Sequence, residues 1–503
     1  MVDWDVIVVG SGIGGLVAGA LLACYGRRVL VCESHTVPGG AAHGFSYEGF
    51  RFDTGPSFYC GLADTNSVNP LRQVLQVLGE SIEVVPYSPL GIYHFPEAKF
   101  PVYGDLQSYL EAIAQITSQG AREYQKFAQE LLDLYKGLQA VPTLALRSDW
   151  QAIFTLMRYI PGLLSLFPHL GMVQKSVGEV MDRHVSDSFV RRLIDVECFL
   201  LSGLKARGTI LPEVAFMLGE RDRVAIEYPV GGSEAIVAAL VRGLQRWGGE
   251  LRLKTHVEKI LVENGRACGI RTRKGETITA NTVISNATLW DTYQHLLQPQ
   301  DLPADYRRKS LQTPAVESFM HLHLGIRATG LSDLNGHHVV VRDRNQDITV
   351  AGNTCMISIP SVWDANLAPA GHHTIHAYTL EPYTGWQRDR HYHQKKREKA
   401  ESLYQALEKV IPDIRDRVVV ELIGTPLTHA RYLRRYQGTY GPAIACEESM
   451  FPSTHTPIRG LYRVGDSTMP GIGVPAVAAS GILCANTLVG VSQVNNLLDE
   501  AMI

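Results

Sequence analysis

Residues 6–33 read VIVVGSGIGGLVAGALLACYGRRVLVCE, and this stretch decides the fold. The β-branched run Val6–Val9 is short and predicts one buried parallel strand. A glycine-rich turn follows at once, and the small-residue run LVAGALLACYG predicts a helix. Arg27–Cys32 predicts a second strand, which ends at Glu33. Strand, glycine turn, helix and strand in this order form the setting that a dinucleotide-binding fingerprint requires.

Each glycine of the turn has a separate task in that fingerprint. Gly10 permits the tight turn, Gly12 lets backbone N–H groups approach a pyrophosphate, and Gly15 lets the helix pack closely on the strand. The helix N-terminus adds unpaired N–H groups and a positive dipole. Glu33 is placed to accept both hydroxyls of an adenosine ribose. We therefore predict a nucleotide site here rather than a coincidental glycine loop.

The same stretch also raises the question of a membrane anchor. Residues 6–26 carry no charge and are long enough to span a bilayer. However, glycines cluster within them, a strand pattern interrupts them, and no basic region precedes them. A signal peptide or membrane anchor is therefore the poorer interpretation.

The bulk composition bounds the class of protein. At 503 residues the chain exceeds the size at which one hydrophobic core stops growing, so two or more domains are expected. A net charge of −3 creates no field that attracts polyanions, which argues against nucleic acid as a partner. The 8 cysteines form no CxxC pair, which favours a reducing compartment over a disulfide framework or structural zinc.

The segment after Glu33 predicts a turn and a strand pair. Pro38, Gly39 and Gly40 form a sharp turn whose glycines let the backbone approach a ligand. The alternating run GFSYEGFRFD then predicts two strands, either as an ordinary hairpin or as a floor under the distal half of a cofactor. Asp53 is the nearest acid and a candidate catalytic residue, although spacing alone does not establish that role.

The middle of the chain predicts a helical region, over Asn69–Gly79, Leu106–Ala140 and Phe189–Leu204. Gln151–Met172 carries one charge and two prolines, and is either a buried lid or an interfacial surface where an apolar substrate leaves a bilayer. Asp195 and Glu197 lie among apolar residues of a predicted helix. They are either surface positions or groups that contact a ligand in a tunnel, and Glu197 is the second catalytic candidate.

At Tyr228 the pattern returns to alternating strands and helices. A strand at Leu251–Leu253 precedes Val257, whose backbone is placed to hold an adenine edge, and Val283–Ile284 predicts another buried strand. A second excursion then predicts three strands of a substrate-domain sheet, over Phe319–Leu324, His337–Val341 and His372–Leu380.

Two features of that second excursion need separate interpretation. The pairs His321/His323 and His337/His338 suggest a metal, but no cysteine or acid recurs at ligand spacing, so no metal is predicted. The charged run RDRHYHQKKREKAE at 388–401 opens a helix and is interpreted as a solvated face, with an acidic lipid or a reductase as the alternative contact.

The C-terminal block predicts the second half of a cofactor site. The strand LYRVG at 461–465 is followed by Asp466, which is placed to bind hydroxyls of a polyol chain. A glycine-rich turn then opens a small-residue helix near Gly473–Ala476. The N-terminus of this helix is placed to face the flavin edge where negative charge collects on reduction. NAD alone does not require this second element, so the two ends together predict FAD.

The chain resembles the plant and cyanobacterial carotenoid cis–trans isomerases, within the phytoene desaturase and retinol saturase group of FAD proteins. The resemblance covers nearly the full length, and its FAD motifs are VVGSGIGGL at 8–16, PGG at 38–40 and VGDSTMPGIGVPAVAASG at 464–481. Outside those motifs, FVRRLIDVECF at 189–199, VISNATLWDT at 283–292 and GTPLTHARYLRRYQGTYGP at 424–442 point to the isomerase branch.

The resemblance implies an α/β fold in which a Rossmann-type (GR2-like) FAD-binding domain carries an inserted α+β substrate domain, with a helical part expected to contact a membrane. We predict FAD-binding segments at 1–65, 226–290 and 426–503, and substrate-binding segments at 66–225 and 291–425. The implied cofactor contacts are Gly10, Gly12, Gly14, Gly15, Glu33, Gly39, Gly40, Val257, Gly465, Asp466, Gly473, Val474 and Pro475.

The implied function is cis-to-trans isomerisation of a poly-cis polyene such as prolycopene, with reduced flavin and no net redox change. The implied setting is a membrane surface on the cytoplasmic or stromal side, with an external electron donor for the flavin. One rival is FAD-dependent carotenoid desaturation or retinol-type saturation. Another is a non-catalytic lipid-binding escort. No Ser/His/Asp nucleophile pattern is evident, which suits chemistry supplied mainly by a cofactor.

Overall fold

The structure is a computed structural model that describes residues 2–55 and 57–501. Its strands are β1 Trp4–Val9, β2 Val29–Cys32, β3 Gly44–Tyr47, β4 Phe50–Asp53, β5 Tyr59–Cys60, β6 Val84–Pro86, β7 Gly91–His94, β8 Lys99–Val102, β9 Ile226–Pro229, β10 Glu250–Arg252, β11 Val257–Glu263, β12 Arg266–Thr272, β13 Thr277–Ser285, β14 Ser318–Arg327, β15 His337–Val341, β16 Thr354–Ser358, β17 His372–Glu381, β18 Val418–Gly424 and β19 Leu461–Arg463.

The α-helices are α1 Ile13–Cys24, α2 Pro70–Val77, α3 Leu106–Ala114, α4 Ser118–Leu138, α5 Ala152–Leu156, α6 Ile160–Leu163, α7 Val177–His184, α8 Ser188–Ser202, α9 Leu211–Arg223, α10 Ser233–Arg246, α11 Leu289–Asp291, α12 Ala304–Leu311, α13 Tyr392–Glu408, α14 Ile414–Arg417, α15 Pro426–Leu433, α16 Val474–Thr487 and α17 Val491–Glu500.

The first sheet is parallel at its centre, in the order β10–β2–β1–β13–β19. Strands from the beginning, middle and end of the chain therefore lie side by side. The hairpin β11–β12 adds to it in antiparallel fashion through the first part of β13. The strand order changes direction beside β1, and such a switch point leaves a crevice at the carboxyl ends of the strands. The predicted Rossmann-type unit is confirmed.

The second sheet runs β18–β14–β17–β16–β15–β7–β8 and is mostly antiparallel. The predicted strands at 319–324, 337–341 and 372–380 are confirmed as β14, β15 and β17. Alternation along β14 separates two environments, as a pleated strand requires. Met320, Leu322 and Leu324 pack in the core beneath α13, whereas Phe319, His321 and His323 share the other face.

Five helices pack against the face of the second sheet that carries Phe319, and these are α3, α4, α7, α8 and α9. The helix predicted over Leu106–Ala140 is two helices, because the chain breaks before Thr117. The Thr117 hydroxyl then caps α4 by accepting a hydrogen bond from the backbone N–H of Gly120. The division of the chain into cofactor and substrate segments remains a prediction.

Residues 150–172 form short helical turns. Leu156, Leu163 and Leu166 pack against the core, whereas most of the other large apolar side chains point outward. Eight large apolar side chains there are at least half exposed, at the spacing of a helical stripe: Trp150, Ile153, Phe154, Met157, Ile160, Leu164, Phe167 and Leu170. We call this set the apolar surface. The buried-lid interpretation of this segment is therefore wrong. Among the described residues, no helix combines the length and the apolar character needed to cross a membrane.

Candidate functional site

The turn between β1 and α1 brings backbone, rather than side chains, to the crevice. Gly10 has a φ of 99°, which favours glycine. A Cβ on Gly12 would lie 2.7 Å from Nδ2 of Asn286, and a Cβ on Gly15 would lie 2.4 Å from the Gly10 carbonyl oxygen. No side chain caps α1 at Gly12, so its first N–H groups remain available to an anion.

Asn286 belongs to this site although the sequence analysis did not single it out. It follows β13, and its N–H donates to the Val9 carbonyl at 2.9 Å. Its side chain lies where Cβ atoms on Gly12, Gly15 or Gly465 would clash. A polar residue just after a buried parallel strand was a usable signal, because strand ends meet at this edge of the sheet.

Glu33 lies at the end of β2 with only 9% of its surface exposed. Its Oε2 accepts from the Ser11 N–H at 2.9 Å and from the Ser11 hydroxyl at 2.7 Å, and its Oε1 accepts from the His35 N–H at 2.8 Å. These bonds fix the carboxylate and leave lone pairs for further donors. The position fits the predicted contact with a ribose.

The second glycine turn packs directly on the first. Gly39 has a φ of 113° and its N–H donates to the Ser11 carbonyl at 3.0 Å. A Cβ on Gly40 would lie 3.2 Å from the Gly12 Cα. The two turns therefore touch through backbone, which explains why glycine occupies both.

Gly465 and Asp466, which follow β19 near the end of the chain, lie at the same crevice. Gly14 and Gly465 touch, since a Cβ on Gly14 would lie 3.0 Å from the Gly465 nitrogen. Asp466 is ion-paired with Arg435, and its Oδ1 accepts from the Ser467 hydroxyl at 2.9 Å. Arg435 lies in the 424–442 motif but was not singled out by the sequence analysis, because its ion pair joins residues 31 positions apart and depends on the tertiary fold.

The helix α16 begins at this end of the crevice. Gly473 precedes it with a φ of 102°, and no side chain caps the helix there. Its first N–H groups are thus available to a ligand, as at α1. Val474 lines the crevice, whereas Pro475 and Gly15 do not belong to its lining.

These elements enclose a cavity of about 850 Å³. Its lining includes Gly10, Gly12, Gly14, Glu33, Gly39, Gly40, Val257, Gly465, Asp466, Gly473 and Val474, so most of the predicted cofactor contacts share one space. We call this set the nucleotide wall. Val257 is buried at the start of β11, and its contact with an adenine edge stays a prediction. The volume lies at the upper end for ligand pockets.

Phenylalanine, tyrosine and histidine rings line a second part of the cavity. Its members are Phe319, His321, His376, Tyr378, His429 and Tyr440, and we call this set the aromatic wall. They come from β14, β17, α15 and the loop after α15. His321 Nδ1 and His376 Nε2 are hydrogen-bonded at 2.9 Å, and the two rings lie nearly parallel. The sequence analysis noted His321 only as half of a doubtful metal pair.

The histidines of this wall are neutral at physiological pH. Burial lowers the pKa of His429 to about 4 and holds the pKa values of His321 and His376 well below the usual range. The Gly438 carbonyl lies 2.5 Å from His429 Nδ1, so this nitrogen carries the ring proton and Nε2 keeps a lone pair.

The two catalytic candidates lie away from the cavity lining. Glu197 is buried in the helical core, where Oε1 is 2.7 Å from Nη1 of Arg221. Its burial shows that the surface interpretation is wrong, and Glu197 is not among the described residues that line the cavity, so its contact with a ligand in a tunnel stays a prediction. Asp53 accepts from the Tyr228 hydroxyl at 2.7 Å and from the Ser233 N–H at 2.9 Å, which ties β4 to the start of α10. Their catalytic roles stay predictions without a supporting contact.

The histidine pairs do not form a metal-type cluster. His321 and His323 share a face of β14, whereas His337 and His338 point to opposite faces of β15. Across residues 2–55 and 57–501, no group of three or more His, Cys, Asp and Glu side chains is placed to hold a metal ion.

The sequence profile of the family described as flavin containing amine oxidoreductase matches residues 13–489. The chain belongs to this family. It is 34% identical to the chloroplastic prolycopene isomerase of Daucus carota, over 100% of this chain and 83% of the carrot protein. The chain therefore also belongs to the family of the prolycopene isomerases, as the resemblance predicted.

Two further proteins show how far the likeness extends. A neurosporene-forming phytoene desaturase of Cereibacter sphaeroides is 27% identical over 95% of this chain and 93% of its own length. The crystal structure of an oxidoreductase from Methanosarcina mazei superposes with a TM-score of 0.61 at 19% identity, covering 95% of this chain and 98% of that one. The latter shows the shared fold alone.

FAD is the cofactor of this family, and the residues of the nucleotide wall fit it. The uncapped N-terminus of α1 and the glycine cradle suit a pyrophosphate, and Glu33 suits the ribose. Asp466 suits a polyol hydroxyl, and the uncapped start of α16 suits the flavin ring edge. The individual contacts remain predictions.

Proposed function

We propose that the protein is an FAD-dependent carotenoid cis–trans isomerase that acts on a poly-cis polyene such as prolycopene. The reaction uses reduced flavin and has no net redox change. The observation that carries this proposal is the cavity itself, in which a backbone wall fitted to FAD and an uncharged wall of rings share one space. Full-length similarity to proteins named prolycopene isomerase supports the choice of substrate.

In this proposal the nucleotide wall binds the cofactor and the aromatic wall binds the hydrocarbon. When bound, reduced flavin supplies electron density that lowers the order of one double bond. The unpaired N–H groups at the start of α16 would stabilise negative charge on the flavin ring. The polyene has no polar handle, so its binding comes from burial against neutral rings such as Phe319 and Tyr378.

A second candidate function is carotenoid desaturation or retinol-type saturation, supported by the 27% identity to a phytoene desaturase. The two reactions differ in product mass, because isomerisation leaves the mass unchanged and the alternatives change it by two hydrogens. A non-catalytic escort differs from both, since it would be purified without a yellow chromophore.

The deciding assay incubates the purified protein anaerobically, with its flavin chemically reduced, with tetra-cis-lycopene in liposomes. Chromatography with mass detection then identifies the product. We expect all-trans product of unchanged mass, and the same sample with oxidised flavin should give none. A product two hydrogens lighter or heavier would assign the protein to the second candidate function.

We also propose that the apolar surface rests in the interface of a lipid bilayer. Trp150 is 71% exposed and Ile153 is 66% exposed, in a segment with one charge. Exposed apolar stripes of this size mark interaction sites, and a bilayer is where a carotenoid dissolves. None of the described cavity-lining residues lies between 150 and 172, so the surface is separate from the cavity lining.

Liposome flotation tests this membrane proposal. Ile153→Glu combined with Phe167→Glu should move most of the protein from the floating fraction to the soluble fraction. Trp247→Glu is the matched control, because Trp247 is an exposed aromatic residue outside the segment. Flotation that survives the double change would exclude this surface as the contact.

The proposed function also implies a cellular location and a source of electrons. We propose a peripheral protein on the cytoplasmic or stromal side of a membrane, with an external electron donor that brings the flavin to its reduced state. The relatives named as chloroplastic support the stromal alternative for a plastid protein. Removal of the donor from a cell extract should abolish isomerisation, and dithionite should restore it.

A further inference from the structure

Three cationic side chains lie on the lining of the cavity, close to the start of β11. They are Lys259 on β11, Arg273 just after β12 and Arg434 just after α15. We call this set the cationic rim. Lys259 and Arg273 belong to the hairpin that extends the first sheet, whereas Arg434 belongs to the 424–442 motif. The rim therefore brings together two segments that are distant in sequence.

His256, which directly precedes β11, shows that the two arginines lie close to one group. Nη2 of Arg273 donates to Nε2 of His256 at 3.1 Å. Burial lowers the pKa of His256, and the positive charges of Arg273 and Arg434 lower it further. Both guanidinium groups therefore lie near the same neutral imidazole.

The charges of the cationic rim have no carboxylate partner. Nζ of Lys259 donates to the His295 carbonyl at 2.9 Å, and this neutral acceptor leaves the ammonium charge uncompensated. Arg434 follows the last residue of α15 and is exposed. In the part of the chain that the structure describes, Lys259, Arg273 and Arg434 form no ion pair.

Four acids share the cavity lining, and they are Glu33, Glu258, Asp291 and Asp466. Glu258 lies 3.5 Å from Nη2 of Arg271, and Asp466 is ion-paired with Arg435. Glu33 and Asp291 accept hydrogen bonds from backbone N–H groups. Each acid therefore has a partner outside the cationic rim, and the rim charges are available to a ligand.

The ligand that these charges suit is an anion. A concave site with unpaired cations at its edge attracts anions, because its low-dielectric walls focus the field. FAD carries negative charge on both phosphates of its pyrophosphate, and the nucleotide wall, which contains no lysine or arginine, meets them with backbone N–H groups only. Guanidinium groups match phosphate oxygens with paired hydrogen bonds, and a lysine adds a point charge.

We propose that the cationic rim binds the anionic pyrophosphate part of FAD and makes the site select the dinucleotide over uncharged flavin. The inference goes beyond the proposed function, because it concerns capture of the cofactor and holds for any reaction on the polyene. Attraction between charges falls off more slowly with distance than a hydrogen bond does. The rim therefore draws FAD toward the cavity and slows its release.

The first test removes the three charges. Lys259→Gln, Arg273→Gln and Arg434→Gln are combined in the full chain, and equilibrium dialysis measures the affinity for FAD. We expect a loss of about threefold for each charge, and so about thirtyfold in all. An affinity equal to that of the wild type would overturn the inference.

A charge-matched control separates a local contact from the net charge of the protein. It combines Lys274→Gln, Arg344→Gln and Arg397→Gln, which change exposed cations that do not line the cavity. Screening by salt confines surface charges to short range, so FAD affinity should change by less than about twofold. An equal loss in the control would show that the rim has no specific role.

Riboflavin and ADP separate charge from shape. Riboflavin has the flavin ring and the polyol chain without phosphate, whereas ADP has the phosphates without flavin. In competition with FAD, the triple variant should bind ADP about tenfold or more weakly than the wild type does, and riboflavin equally well. A loss for riboflavin as large as the loss for FAD would contradict the selection by charge.

Salt provides a test that needs no variant. Raising the ionic strength from about 0.01 M to about 1 M shortens the screening length from about 30 Å to about 3 Å, so wild-type holoenzyme should release FAD about tenfold faster. Flavin fluorescence in the released fraction measures the rate. A release rate that does not respond to salt would overturn the inference even if the triple variant fails to fold.

Discussion

The nucleotide wall and the aromatic wall line one cavity but are built in opposite ways. The nucleotide wall consists mainly of backbone, with glycines such as Gly12 and Gly40 placed where a side chain would clash. The aromatic wall consists of side chains from β14, β17 and α15, and its histidines are neutral because burial disfavours their charged form. N–H groups suit a charged dinucleotide and rings suit a hydrocarbon, so each wall fits one of the two proposed ligands.

The largest effect is expected from filling the nucleotide wall. Gly15→Val should reduce the flavin content of the purified protein to less than about a tenth of the wild-type value, because its Cβ would lie 2.4 Å from the Gly10 carbonyl. Absorbance gives the ratio of flavin to protein. Gly171→Ala is the control, since nothing lies within 4 Å of a Cβ there. Normal flavin content in Gly15→Val would contradict the packing account.

A buried ion pair outside both walls should affect stability instead. Glu197→Gln should lower the free energy of unfolding by about 3 kcal/mol, because it leaves the Arg221 guanidinium uncompensated in the helical core. Turnover per bound flavin should stay within about twofold. Asp182→Asn, which disrupts partly exposed pairs with Arg191 and Arg207, should cost less than 1 kcal/mol. Lost turnover with unchanged stability would restore Glu197 as a catalytic group.

The next largest effect is expected from removing Asp466, the predicted contact with the polyol chain of FAD. Asp466→Ala should weaken FAD binding by about 1.5–3 kcal/mol, through loss of a charge-assisted hydrogen bond and of the partner of Arg435. Equilibrium dialysis of flavin measures the change. Asp347→Ala removes an exposed ion pair with Lys205 and should leave FAD affinity unchanged. Wild-type affinity in Asp466→Ala would remove this residue from the cofactor site.

The buried histidine His323, which stacks on His376 of the aromatic wall, should make stability depend on pH. Burial lowers the pKa of His323 from 6.5 to about 4. Between these two pH values the histidine is protonated in the unfolded chain and neutral in the folded chain. Stability should therefore fall as the pH drops from 7 to 5, and this histidine should account for about 2 kcal/mol of the loss. Denaturant unfolding at both pH values measures it. An equal loss in His323→Phe would show that the histidine is not responsible.

The nucleotide wall was largely predictable because its signals are local. Gly10, Gly12 and Glu33 follow one another within a single strand–helix–strand unit, and a close backbone approach requires glycine whatever the rest of the fold does. Asp466 and Gly473 carried a similar local signal after a short strand. The two halves were joined by the argument that FAD, unlike NAD alone, requires the second element.

The aromatic wall was not predictable from spacing, because its members meet only through strand register and helix docking. His321 and His376 are 55 positions apart, and no pattern states that β14 pairs with β17. Burial was not predictable either, and the sequence left both alternatives open for residues 151–172. Glu197 is buried and ion-paired with Arg221, whereas the apolar residues near Phe167 are exposed. A hydropathy pattern cannot distinguish a core face from an interaction face.

The most direct test is a crystal structure of the oxidised FAD-loaded enzyme with all-trans-lycopene, which cannot react further. The account predicts the flavin against the nucleotide wall and the conjugated chain in contact with His376 and Tyr378. A polyene bound elsewhere, with the aromatic wall contacting only protein or water, would contradict the division of the cavity between the two ligands.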